Sequence, residues 1–145
     1  MTESIVAWIR ALFAIVPDVS RASTEPDAAV IFKSHQADVV VSTWMGARLY
    51  LYIIDKAPKV RDIKNLLKDN SRAGIGTLFL VAKHLLPDNQ STVKLQDWWE
   101  ALFLLNEFFI YAYDTKKEQP EIIQIHFTPS NGKDEFFIWY LAEFE

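Results

Sequence analysis

The sequence predicts an α/β (α+β) fold: a mixed central sheet of about six to seven strands with about three helices packed on it. Three observations lead there. Three stretches repeat apolar residues with the period of an α-helix. Six or seven others are short runs rich in β-branched and aromatic residues. Proline, glycine and polar clusters separate the two kinds. A chain of 145 residues fits one globular domain, 1–145, and folding at that size buries roughly 68–70% of the unfolded surface.

The first helix is predicted over residues 4–16, where Ile5, Trp8, Ile9, Leu12, Phe13 and Val16 share one face and Pro17 ends the pattern. The breaker-rich stretch PDVSRASTEPD reads as an exposed loop, and Ala28–Phe32 as a short strand. Val39–Trp44 and Leu49–Ile54 are strands joined by a tight turn at Met45-Gly46-Ala47, which makes a β-hairpin. In the second strand both alternating sets are bulky, as expected of a strand covered on both faces and central in its sheet.

Pro58 opens a second helix over 58–72, with Val60, Ile63, Leu66 and Leu67 on one side. Thr77–Ala82 is a nearly continuous apolar strand, followed by Pro87 and the polar loop DNQS. Leu95–Leu105 is an amphipathic helix carrying Trp98, Leu102 and Leu105. Three strands close the chain, Phe108–Tyr113, Ile122–Thr128 and Phe136–Leu141, separated by TKKEQP and PSNGKD.

The pair Gly74-Ile75-Gly76 is the nearest approach to a chemical motif. A phosphate loop needs the order strand, loop, helix, so that helical N–H groups face the anion. Here the helix comes first, and its C-terminal carbonyls would repel an anion. Gly74 therefore reads as the left-handed residue that ends a helix, and Gly76 as the entry into a strand.

Composition narrows the chemistry. There is no cysteine, which removes disulfides and thiolate catalysis and suits a reducing, cytoplasmic home. SIVAWIRALFAIVP is interrupted by Arg10 and is shorter than the roughly 20 residues that span a bilayer, so no membrane role is expected. Net charge is −4, unevenly spread. Residues 48–94 hold nine basic and four acidic side chains, whereas 95–145 hold three basic and ten acidic. Such a split fits an anionic partner for the middle segment, or basic and acidic parts that face each other within one fold or across a symmetric contact.

Few residues have the spacing of a reactive site. His35, His84 and His126 are scattered; His126 alternates with Gln124 and Thr128 on a strand face expected to be solvated. No nucleophile elbow is present, and no cofactor or metal is expected. The candidate binding residues are of two kinds. Lys59, Lys64, Lys68 and Arg72 belong to the second helical segment, the last three on one stripe, and could track phosphates or grip an acidic partner. The other kind is aromatic: Trp44 at the hairpin tip beside Met45, Trp99 at the rim of its helix, and the terminal FFIWYLAEF. Five tryptophans make at least one partly exposed apolar patch an expectation.

Over residues 4–82 the order helix, strand, strand, strand, helix, strand resembles the common core of the restriction-endonuclease-like nucleases. That family places an acid at the start of the second core strand and an acid-x-Lys motif on the third. Asp38 matches the first place; in RLYLYIIDK, Asp55 is followed directly by Lys56, which departs from the second. The resemblance thus implies a catalytically inactive member used for binding.

A non-enzymatic module that binds another protein, or itself, through exposed aromatics and opposed charge is the expected function. The alternative is a nucleic-acid-associated domain with the inactive nuclease-like core. A hydrolase or small-ligand sensor would need a site assembled only in three dimensions.

Overall fold

The computed structural model describes residues 2–24, 37–106, 108–115, 121–130 and 134–142. Helix α1 (Thr2–Ala14) is followed by strands β1 (Val19–Ser23), β2 (Val39–Thr43) and β3 (Arg48–Ile54), then by helix α2 (Val60–Arg72) and strand β4 (Gly76–Ala82). After a 3-10 turn at Lys83–Leu85 come β5 (Thr92–Lys94), α3 (Asp97–Phe103), a second 3-10 turn at Leu104–Asn106, β6 (Phe109–Asp114), β7 (Glu121–Pro129) and β8 (Glu135–Ala142). The eight strands form one mixed sheet in the order β1-β2-β3-β4-β6-β7-β8-β5. The fold is the expected α+β class, with more strands than the six to seven expected.

The two additional strands are β1 and β5. Strand β1 lies inside the stretch 17–27 expected to be an exposed loop, which is a correction. Its sequence VSRAS has little strand propensity of its own; β2 supplies the ladder, from Val19↔Thr43 to Ser23↔Val40. A bulge at Ser20 turns its hydroxyl to donate to Ser42 O at 3.1 Å. Strand β5 is recruited in the same way: Gln90 N–H donates to Ile138 O and Ile138 N–H to Ser91 O, which lays Thr92–Lys94 along β8. The expected strand Ala28–Phe32 lies outside the described residues.

By internal contacts the chain forms two compact units, 1–53 with 64–78 and 54–63 with 79–145. In the first, Ile5 and Ile9 of α1, Val39–Val41 of β2 and Tyr50–Tyr52 of β3 are buried. The hairpin β2–β3 closes as expected, with Thr43 N–H donating to Ala47 O and Gly46 at a φ of 88°. Helix α2 ends where Gly74 takes a φ of 72°, the left-handed stop read from the sequence. Inside this unit the fully buried Asn70 donates from Nδ2 to the Tyr52 hydroxyl (3.1 Å) and to Thr77 Oγ1 (2.8 Å).

In the second unit α3 covers one face of β6, β7 and β8. Its Trp98, Trp99, Leu102 and Phe103 are buried, and the Phe103 and Phe127 rings lie 5.0 Å apart between centroids. Burial of one such ring is worth roughly 1.5–3 kcal/mol. The helix is shorter than expected, and Leu105, placed on its apolar face by spacing, is exposed. The chain leaves α3 early because Phe108 N–H donates back to Phe103 O, at a left-handed φ of 73°, to enter β6.

Candidate protein-binding face

Alternation along β6, β7 and β8 sorts their side chains. Ile110, Ala112, Ile123, Ile125, Phe127 and Ile138 point into the core with α3. The opposite face carries Phe109, Tyr111, Tyr113, Ile122, Gln124, His126, Thr128, Phe137, Trp139 and Leu141; the paired Tyr113 and Ile122 at one end of it are buried, and Thr128, Phe137, Trp139 and Leu141 are exposed. Register then aligns these in rows. Phe109 pairs with His126 and His126 with Trp139; Tyr111 pairs with Gln124 and Gln124 with Leu141; Thr128 pairs with Phe137.

The first row is a stack. The His126 and Trp139 rings are 3.9 Å apart and 13° from parallel, and Phe109 lies 5.1 Å from His126 on the other side. Strands about 4.8 Å apart can hold such rings face to face only if they stand upright on the sheet. Polar bonds fix them: Trp139 Nε1–H donates to Thr128 Oγ1 at 3.0 Å, and Gln124 Oε1 lies 2.9 Å from His126 Nε2. Tyr111 closes edge-on against Phe109, at 5.0 Å and 86°. Phe137, Trp139 and Leu141 are each between 38% and 48% exposed. The result is an aromatic face that is exposed along β8 and half-buried at Phe109, Tyr111 and His126.

A second polar cluster in this unit is structural in form. Parallel strands β4 and β6 end side by side, and Lys83 Nζ lies 3.4 Å from Asp114 Oδ2, a carboxylate only 5% exposed. The Lys83 ammonium also sits 5.7 Å from the Tyr140 ring. The Tyr140 hydroxyl donates to Pro87 O at 2.6 Å, and its N–H to Asn89 Oδ1. Burial, together with Asp88 and Asp114, pushes the Tyr140 phenol up to about 12. These bonds strap residues 83–91 along β8.

The candidates from the sequence fall in different places. Trp44 and Met45 are exposed at the hairpin tip, 75% and 97%, where Trp44 N–H donates to Asp18 O. Trp99 is not at a rim: it is buried, edge-on to Trp98, with Nε1–H donating to Leu85 O at 3.2 Å. The 3-10 turn at Lys83–Leu85 supplies the cover that spacing on the helix could not foretell. Lys59 is exposed immediately before α2, and Lys64, Lys68 and Arg72 are exposed along it. Asp38 is half-buried, its Oδ2 accepting the Ile53 N–H at 2.7 Å, while Asp55 and Lys56 are exposed after β3. His35 lies outside the described residues. Among the described residues no three His, Asp or Glu side chains gather as metal ligands would.

Sequence reasoning placed His126, Gln124 and Thr128 on a solvated face but did not join Phe109, Tyr111 and Trp139 to them. The available signal was period-two alternation through β6 and β8, blurred because both alternating sets in FFIWYLA are bulky. Comparison with family models, curated proteins and solved structures finds no match to this chain.

Proposed function

We propose that this protein is a non-catalytic binding module that docks another protein chain on the open face of β6, β7 and β8. The observation that carries the reading is the row Phe109–His126–Trp139, upright, cross-strand and held by side-chain hydrogen bonds. Rings fixed in this way offer large apolar contact with little rotamer entropy left to lose, the property that makes tryptophan and tyrosine frequent anchors of interfaces. The test is retention of proteins from a native extract by immobilised wild type and by a variant with Phe137, Trp139 and Leu141 replaced by serine. The reading expects named proteins to be retained by the first and lost from the second. Identical retained sets would remove it.

A second reading is supported by α2. Its exposed positions are Arg61, Lys64, Asn65, Lys68, Ser71 and Arg72, four cations, with Asp62 and Asp69 half-buried on the same helix. That stripe suits a phosphate backbone, and with it the chain would be a nucleic-acid-associated, catalytically inactive relative of the restriction-endonuclease-like nucleases. Gel shifts with single- and double-stranded DNA and RNA test this. Binding that persists when Lys64, Lys68 and Arg72 become glutamate would exclude the stripe.

A further inference from the structure

In the first compact unit, the tip of the β2–β3 hairpin and the chain leaving α1 carry the most exposed large apolar side chains among the described residues. Met45 is 97% exposed, Ile15 79% and Trp44 75%, with Val16 exposed beside them. We infer that this tip is a membrane-surface anchor, which enters the headgroup region of an anionic bilayer. No helix among the described residues is long and apolar enough to cross a membrane, so the contact is interfacial. The expectation that the chain has no membrane role rests on the length of a span, which an interfacial anchor does not require.

Backbone bonding is the first argument. Trp44 N–H donates to Asp18 O at 3.2 Å and Val19 N–H to Val16 O at 3.0 Å, so the two loop ends run side by side. Gly46 N–H donates to Thr43 O and Ala47 N–H to Thr43 Oγ1, both at 3.0 Å. Three of the four amides of residues 44–47 are thus bonded within the protein. Backbone entering an apolar phase is costly chiefly where such groups stay open, and here few do.

Charge is the second. Arg21 pairs with Ser42 and Ser42 with Arg48, which sets both arginines on one face of the sheet. Ser42 stands about 7 Å behind Trp44, at 3.4 Å per residue. The end of α2 comes to the same place: a Cβ at Gly76 would lie 3.6 Å from Arg48 O, and exposed Arg72 precedes it by four residues. Against these stand Asp18, exposed at the foot of the tip, and half-buried Asp69. Cations set just behind an apolar tip meet lipid phosphates while the indole lies at headgroup depth, where tryptophan is favoured.

Size is the third. Four side chains on a projecting tip cover less than the roughly 800 Å² per partner of a standard protein complex. A bilayer surface needs only that apolar groups reach its acyl boundary with cations behind them.

Flotation with vesicles of phosphatidylcholine alone, and of phosphatidylcholine with phosphatidylserine, tests the anchor. Wild type is expected to float with the anionic vesicles and to be released as salt rises. Trp44→Ser/Met45→Ser, with unchanged circular dichroism, should bind more weakly by about tenfold or more. Arg21→Ala should lose about fivefold, the effect of one cation at such a surface. Brominated acyl chains should quench the fluorescence of wild type but not of Trp44→Phe. Absence of flotation with either vesicle overturns the inference, as does equal binding to both, or quenching that persists without Trp44. Replacing Phe137, Trp139 and Leu141 by serine should leave flotation unchanged; its loss would assign the lipid contact to β8 and overturn the tip. A tip that retains proteins from an extract but no vesicles identifies a protein partner and overturns the inference equally.

Discussion

The indole of Trp139 lies parallel to the imidazole of His126 on the outside of the sheet, while Phe103 packs against Phe127 on the inside. The first pair joins β7 to β8 and the second joins α3 to β7, and the two differ in what holds them. Cross-strand pairs on an open face contribute about 0.2–1 kcal/mol. A buried ring lost to alanine costs about 3–5 kcal/mol, because a cavity remains. Trp139→Ala should therefore lower stability by no more than about 1 kcal/mol, and Phe103→Ala by several times as much. Urea denaturation of both variants measures the difference. An equal loss would mean that the outer row is part of the core and is not a docking surface.

Tyr140 makes stability depend on alkaline pH. Its folded pKa, about 12, stands above the ordinary phenol value of 10.0 because burial disfavours the phenolate. The folded state thus holds the proton more tightly than the unfolded chain. The contribution is complete below pH 10 and is lost as pH rises through 12. Tyr52, raised by burial in the other unit, acts in the same direction. Urea midpoints for wild type should fall across that window, and Tyr140→Phe should fall less steeply. Parallel curves for the two proteins would contradict the assignment.

What the sequence revealed and what it hid have the same physical root. Strand β3 could be placed centrally because Leu49, Leu51 and Ile53 alternate with Tyr50, Tyr52 and Ile54, both sets needing cover on their own face of the sheet, and β3 does lie between β2 and β4. Gly74 announced a helix end because the required φ excludes most other residues. Strand β1 was hidden because VSRAS owes its conformation to β2, a partner some twenty residues away. Trp99 was misplaced for a similar reason: the Leu85 carbonyl and the turn that covers it belong to another part of the chain. The aromatic face depended on register, and register between three strands is a tertiary fact.

Backbone handedness gives a pair of opposed predictions. Gly74 has a φ of 72°, and a Cβ there would meet nothing within 4 Å, so Gly74→Ala costs only the left-handed conformation, about 1–2 kcal/mol. Gln90 occupies the same region at a φ of 60° with its side chain exposed. Gln90→Gly should raise stability by up to about 1 kcal/mol, since the left-handed strain exceeds the extra entropy of glycine. Thermal melts of both variants should move in opposite directions. A fall for Gln90→Gly would show that its side chain contributes more than its backbone costs.

Asn70 is the polar residue on which the first unit's core depends. It is completely buried, and its Nδ2 joins Tyr52 on β3 to Thr77 on β4, while its Oδ1 has no protein partner. Removing the amide leaves the buried Tyr52 hydroxyl and the half-buried Thr77 hydroxyl each short of a bond, and a buried group left so costs about 1–3 kcal/mol. Asn70→Ala should therefore destabilise by roughly 2–4 kcal/mol, beyond what its lost volume requires. Tyr52→Phe removes one acceptor and should cost less. If the amide bridge is the cause, the double variant will lose less than the two single losses together, because the Tyr52 bond can be broken only once. Simple additivity in chemical denaturation would mean that Asn70 acts through packing alone.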